Sequence, residues 1–389
     1  MTASTLTADE LTALVQRVFQ PREVDRALAL IVDLPDDAVP DHPAWNERRE
    51  MATEWARGLY SARAAHRMDV ALYWYRNVRS NNADLPPSAW RHLEGSAPAS
   101  ADELNETSAA PLEEILAAHE IVMAPTEFSA TAPLKVLAPR LGFRAATMPG
   151  FGPAMVPALR LDYTEIDRRV RFLKALLDRA VLAELSFDVD GARAATLMLD
   201  LRRRTAHASG GLLPDPGTAG NLPSGEAYIV PYEGEEQGDP SGSAGLLPVQ
   251  LGNEVVVYEV EANRAVRVAS EGPESRREAE KLAQEPAYGN IAELGLGILG
   301  DFGIEPVGEV LLDEKLGLHI AFGRSDHFGG QVGPNRFSRP EAVVHQDRVY
   351  VPALQPRVVA ARVDLQREDG KKLALMRDGR FVVDFAGAA

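Results

Sequence analysis

Apolar positions in the first half of the chain alternate between two periods. Residues 8–19 carry Leu11, Leu14, Val15, Val18 and Phe19 at helical spacing, with Thr7 and Glu10 at capping-box separation. ALALIV (27–32) is a short run of buried-strand type, and the spacing of Trp45, Met51, Trp55 and Leu59 predicts a long helix over 43–66. The series continues with a strand at 69–75, a helix at 111–119, a strand at 120–125, a helix at 132–142 and a strand at 143–148. A last helix is predicted from Tyr163 to Phe187, N-capped by Thr164, with Val170, Leu173, Leu176, Leu177 and Val181 as its apolar stripe. Strand–helix alternation with short connections predicts an open, mainly parallel α/β sheet.

Beyond that point the pattern changes. Strands are predicted at 195–201, 227–231, 254–260, 265–270, 308–313, 318–323, 342–351, 357–365 and 372–385, with one clear helix at 275–284. Strands recurring about every ten residues between Gly-rich turns indicate an antiparallel, β-rich domain. The expected layout is an N-terminal α/β domain, 1–190, followed by a β-rich (α+β) metal-binding catalytic domain, 191–389. Two polar, Gly/Pro/Ser-rich segments, 95–111 and 233–245, read as surface loops; the second lies beside the chemistry described below and is also a lid candidate.

Charge narrows the partners. The 389 residues include 41 basic and 57 acidic side chains, a net charge of −16. Phosphate backbones and anionic membranes repel such a chain, so neither nucleic acid nor membrane is expected as a partner. Cysteine is absent, which excludes disulfides, zinc fingers, iron–sulfur clusters and thiol catalysis. The first residues show no secretory pattern, and no run reaches the ~18 apolar residues of a membrane span, so a cytoplasmic protein is expected. There is no GxxxxGK[ST], GxSxG or HExxH, and no GxGxxG in strand–helix context.

The candidate chemistry lies in the β-rich half. His345 and Asp347 form an H-x-D pair within a strand, so their side chains share a face. His319 shares its face with Ala321 and Gly323, which leaves room in front of the imidazole. Glu226 opens the strand AYIV, and Glu293 interrupts the apolar run NIAELGLG. A lone buried carboxylate costs several kcal/mol unless it is paired or binds a cation, so Glu293 needs a partner. Two Glu, two His and one Asp suit one or two divalent ions such as Zn, Co or Mn. Spacing alone does not force these five residues together.

NLPSGEAYIVP, NIAELGLG, GEVLLDEKLGLHIAFGRS, GG and VVHQD, in that order, resemble the M29 family of metallo-aminopeptidases (aminopeptidase T, aminopeptidase S and relatives). The resemblance covers most of 195–389. It implies that Glu226, Glu293, His319, His345 and Asp347 ligate two divalent ions per chain. It also implies a small-peptide substrate and a homodimer enclosing the active-site cavity. Glu226 or Glu293 is then the candidate general base. One departure is plain: where the family carries a Tyr seven positions after the first motif His, this chain has Asp326, followed by His327. Asp326 and His327 read as an added ligand, a proton-transfer group or a polar loop; His327 joins Glu226 and Glu293 as a catalytic candidate. Arg324 is a candidate for a substrate carboxylate. The same resemblance extends to Fe(II) ring-cleaving dioxygenases of the 2,5-dihydroxypyridine type, which use two His and one carboxylate. The readings that follow are an aminopeptidase, an Fe(II) dioxygenase, or a relative without activity.

Overall fold

The computed structural model describes residues 5–104 and 108–387. Residues 105–107 of the expected 95–111 loop lie outside that set. The chain forms two compact units, residues 1–166 with 211–224 and residues 167–210 with 225–389. Among the described residues no helix is long and apolar enough to cross a membrane.

The first unit is built on a seven-stranded sheet. Its parallel part runs Thr218–Asn221, Arg144–Thr147, Ile121–Ala124, Ala27–Leu34, Asp69–Arg76, and two short antiparallel strands, Ser88–Arg91 and Ala109–Pro111, extend it. Both faces of the central strands are buried, which is why ALALIV and DVALYWY read as continuous apolar runs. The first helix, Ala8–Phe19, starts at the expected capping box: Glu10 N donates to Thr7 Oγ1 at 3.2 Å, and Thr7 N donates to Glu10 Oε2 at 2.8 Å. The long helix of 43–66 breaks at Ala62 into Pro43–Ser61 and Arg63–His66. Three strands of this unit had no expectation behind them. Ser88–Arg91, Ala109–Pro111 and Thr218–Asn221 hold only three or four residues each, too few for a period to show.

The second unit holds an eight-stranded and a five-stranded sheet, both antiparallel. The expected helix from Tyr163 ends at Leu177, and Ala180–Val189 is a strand. In that strand Ala183, Leu185 and Phe187 are buried while Glu184 and Asp188 alternate with them, a period of two. The helix is capped by Asp162, whose Oδ1 accepts from Thr164 N at 2.9 Å, and not by Thr164. Residue 190, the expected division between domains, is a turn. Asp190 and Gly191, with φ of 51° and 80°, join Ala180–Val189 to Ala192–Asp200 as a hairpin. An Asp-Gly pair supplies the two left-handed residues that such a turn requires. The change in sequence texture therefore marks the first hairpin of the eight-stranded sheet. GEVLLD (308–313) is also not a strand. Val310–Asp313 is one helical turn, because the Asp313 carboxylate accepts from Val307 N at 2.8 Å and Gly308 N at 3.0 Å and curls the segment. LHIAFG forms the expected strand, Leu318–Gly323, and Pro273–Gln284 the expected helix.

Candidate metal centre

The five-stranded sheet brings the candidate ligands onto one face. Its order is His345–Val349, Leu318–Gly323, Ile291–Gly297, Glu226–Ile229, His207–Ser209. Residues directly opposite in a ladder point to the same face. Glu293, Ala321 and Asp347 form one row across three strands, and Tyr228, Gly295 and His319 form the next. Glu226 pairs with Gly297, and His345 with Gly323. Every ligand candidate thus has a glycine or alanine beside it. The opposite face of the His319 strand packs into the apolar interior, where Phe322 lies against Tyr258 and Tyr288 at ring separations of 5.0 and 5.5 Å.

Glycine spacing sets the floor of the centre. A Cβ on Gly295 would lie 1.9 Å from His319 Nε2, and one on Gly297 would lie 2.2 Å from the backbone carbon of Lys315. The alternation Glu293, Gly295, Gly297 therefore provides one carboxylate and two gaps, filled by an imidazole and by a turn of backbone. That turn, Glu314–Leu316, carries two groups the sequence reading did not single out. Lys315 is buried, and its Nζ donates to Glu226 Oε1 at 2.5 Å and to Glu314 Oε1. A lysine beside a glutamate in a polar stretch has no periodic signature, so only the fold reveals it. The paired glycines of ELGLG were the legible signal.

The centre has two halves that share Glu293. Glu293 Oε1 lies 3.0 Å from His319 Nε2, and Glu293 Oε2 lies 3.4 Å from His345 Nε2. On the first side Glu226 Oε2 is 3.6 Å from His319 Nε2; on the second Asp347 Oδ1 is 3.7 Å from His345 Nε2. Glu226 Oε2 and Asp347 Oδ1 are both buried without a hydrogen-bond partner. Buried acceptors are nearly always satisfied, so two orphans at equivalent places carry information. Ligand atoms of a tetrahedral ion with bonds of ~2.0–2.1 Å sit ~3.3 Å apart, close to these spacings. Glu226, Glu293 and His319 offer one ligand atom each within 4.8 Å of one another. The other ring nitrogens are occupied by backbone carbonyls, His345 Nδ1 at 2.8 Å from Arg324 O and His319 Nδ1 at 3.3 Å from Gly317 O. Such contacts orient a ligating imidazole with Nε2 forward.

Charge agrees with geometry. Burial alone would raise the Glu293 carboxyl, but hydrogen bonds from His319 and His345 outweigh it and hold it at about 2. Burial disfavours the His319 imidazolium, yet Glu293, Glu226 and Asp347 push it up to about 9. His345 is likewise raised well above its ordinary value against burial, by Asp347 and Glu293. The protein's own field thus favours positive charge at both Nε2 positions, whether a proton or a metal cation supplies it. Burial pushes Glu314 up to about 8, with Lys315 opposing.

Around His345 stands a wall of rings. His327 meets His345 edge-on at 5.3 Å, Phe328 packs on His327 at 3.9 Å, Tyr228 meets Phe328 at 4.8 Å, and His207 stacks on Tyr228 at 5.1 Å. His327 keeps about a third of its side chain accessible, at 33%, and partial desolvation with the nearby charges of His345 and Arg324 shifts it below the ordinary imidazole value. Arg324 is engaged by Asp326, Nε to Oδ1 at 2.6 Å. The lid candidate at 233–245 is pinned at its first residue. Glu233 Oε1 accepts from Ser325 Oγ at 2.6 Å and Asn290 Nδ2 at 2.8 Å, and Glu233 Oε2 from Gln331 N.

Two solved structures share this architecture. The 2,5-dihydroxypyridine dioxygenase from Pseudomonas putida KT2440 aligns with a TM-score of 0.61 at 15% identity, covering 97% of this chain and 99% of that one. AmpT from Thermus thermophilus, an M29 aminopeptidase, aligns with a TM-score of 0.52 at 18% identity, with the same coverage. At these identities the likeness is one of fold, and it extends over essentially the whole of all three chains. No family model and no curated protein sequence matches this chain. The resemblance to M29 enzymes drawn from the motifs thus has a counterpart in three dimensions.

Proposed function

We propose that the protein is a two-metal aminopeptidase that releases the N-terminal residue of short peptides. The observation that carries this reading is the position of Glu293, with one oxygen toward each histidine and a buried, unpartnered carboxylate oxygen completing each half. Glu293 is thereby shared between two donor sets, and in one of them Glu226, Glu293 and His319 offer ligand atoms within 4.8 Å of one another. Glu226, His319 and Glu293 Oε1 would hold one divalent ion, and His345, Asp347 and Glu293 Oε2 the other. Zn, Co or Mn bound there would polarise a peptide carbonyl and make a water acidic enough to attack it. The motif resemblance and the fold shared with AmpT support a peptide substrate.

The residues divide the remaining work. Glu226 Oε1 is taken by Lys315, and the other oxygens of Glu226 and Glu293 face histidines, so both glutamates serve as ligands. His327, in ring contact with His345 and with its Nδ1 3.6 Å from Asp326 Oδ1, is the group assigned to accept the proton from water and return it to the departing amine. The ring contact of Tyr228 with Phe328 would offer an apolar surface to a bound peptide.

One observation favours a second reading. His319, His345 and Glu293 also form a two-His-one-carboxylate set, the arrangement that holds a single Fe(II) for oxygen chemistry, and the dioxygenase shares the fold. Elemental analysis with an activity screen separates the two. About two Zn, Co or Mn per chain, with release of N-terminal residues from di- and tripeptides, is the expected result. One Fe per chain, with oxygen uptake on 2,5-dihydroxypyridine, would replace the peptidase with the oxygenase.

A further inference from the structure

The two donor sets are alike in composition but not in surroundings. Each has one imidazole, one terminal carboxylate and one oxygen of Glu293. The Glu226 half alone contains a resident cation: Lys315 Nζ, buried and 2.5 Å from Glu226 Oε1. This ammonium is built in. Gly297 lets its backbone approach closer than any Cβ would permit, and Glu314 holds it from the other side. The Asp347 half has no lysine or arginine in ion-pair contact with its terminal carboxylate among the described residues; the partner of Asp347 there is His345, and the Lys315 charge reaches Asp347 only behind those of His345 and His319.

A cation bound by Glu226 Oε2 would share that carboxylate with the ammonium on Oε1. In a water-excluded site, like charges separated by one carboxylate repel strongly. We infer that the centre fills unequally: the half formed by His345, Asp347 and Glu293 Oε2 binds first and tightly, and the Glu226–His319 half binds second and weakly because Lys315 already occupies it electrostatically. This inference rests on the two-cation reading above. Its consequence is an enzyme whose second ion exchanges with the free pool, so that occupancy of the Glu226 half sets the active fraction. Lys315 is a positioning residue here. It fixes the rotamer of Glu226 with Oε2 forward and reduces the negative charge offered to the second ion.

The test is a Co²⁺ titration of the chelator-stripped full chain, read by visible absorbance and calorimetry, with no substrate present. The wild type should give two steps, the first at least about tenfold tighter. Asp347→Asn should abolish the tight step. Glu226→Gln should abolish the weak step and leave the tight one. Lys315→Met should strengthen the second step by about tenfold or more; if that variant fails to fold, the two ligand variants decide alone. Two steps of equal affinity, or loss of the tight step in Glu226→Gln, would overturn the inference while leaving two ions in place. A single Co²⁺ step in the wild type, unchanged in Glu226→Gln, would remove the two-cation reading and leave the Glu226 half as the disfavoured one. No binding at all would remove both.

Discussion

Gly295 lies directly across the ladder from His319, and the space a Cβ would take on Gly295 is filled by the imidazole of His319, 1.9 Å from Nε2. The strand of Glu293 therefore does two things. It supplies the central carboxylate, and two residues later it withdraws so that a histidine can lie flat against it. Gly295→Ala should displace His319 and weaken metal binding by about 10–100-fold, the range seen when ligand-orienting contacts are lost. Circular dichroism should remain native, since a side chain can move where a ladder need not. Unchanged metal content in this variant would mean that His319 is not a ligand.

His345→Ala and Asp347→Ala each remove one donor from the second half of the centre. We expect metal stoichiometry to fall in both, with the α/β unit still folded as judged by its own hydrogen-exchange protection. The two residues alternate on an outer strand of the sheet, so truncating them disturbs no apolar core. Normal stoichiometry in either variant would sink the assignment.

Metal should also stabilise. A cation bound only by the native state, at 100 times its Kd, adds about 2.7 kcal/mol. Thermal melting with and without a chelator should therefore show a lower midpoint for the stripped protein. The shift should disappear in Glu293→Gln, which removes the shared carboxylate charge. A chelator-insensitive midpoint in the wild type would argue against the centre altogether.

The α/β unit offers an independent check, remote from metal chemistry. Asp25 and Arg144 form a buried pair at 2.5 Å, and Arg144 Nη1 also donates to Phe19 O at 2.9 Å. Removing one partner of such a pair costs about 3–5 kcal/mol, and Asp25→Asn should lose that much in urea unfolding at pH 7. Burial pushes the Asp25 carboxyl up, but Arg22 N–H and Arg144 outweigh it and hold it below its ordinary 3.8. A depressed folded pKa gives stability that is complete above the unfolded value and lost as pH falls through the folded one. The gap between wild type and Asp25→Asn should therefore hold from pH 7 down to about 4 and narrow below it. A gap independent of pH down to about 2 would show that the fold does not hold the Asp25 carboxyl below its unfolded value.

His327→Ala should lower kcat of the peptidase by about 10²–10⁴-fold, as expected for loss of a proton-transfer group, with metal content unchanged. A fall in metal content would instead make His327 a ligand. A kcat within twofold of wild type would leave it a wall residue beside Phe328.

Periodicity located the long elements because their faces are uniformly buried. Ala8–Phe19 buries one face at helical spacing, while Ala27–Leu34, Asp69–Arg76 and Leu318–Gly323 are buried on both and read as continuous apolar runs. It failed where local and long-range preferences conflict. Ala180–Val189 follows a helix through only two residues, and its apolar positions continue a helical count until the pairing with Ala192–Asp200 imposes a period of two. The segment 308–313 has the apolar content of a strand, but one carboxylate, Asp313, curls it.

For the centre itself, residue type and parity were legible. A strand's two-residue repeat places His345 with Asp347, and motif order joined them to Glu226, Glu293 and His319. Sequence alone determined the ligand chemistry, oxygen and imidazole with no thiol, because cysteine is absent and the carboxylates fall in apolar runs. Tertiary structure decided the rest. Ladder register put Glu293 between two histidines, Gly297 admitted the backbone of Lys315, and the same packing left Glu226 Oε2 and Asp347 Oδ1 without partners. Those facts depend on contacts between distant segments, such as Glu226 and Lys315, 89 residues apart. No local pattern encodes them, because side chains meet across strands only after the chain has paid the entropy of closing the loops between them.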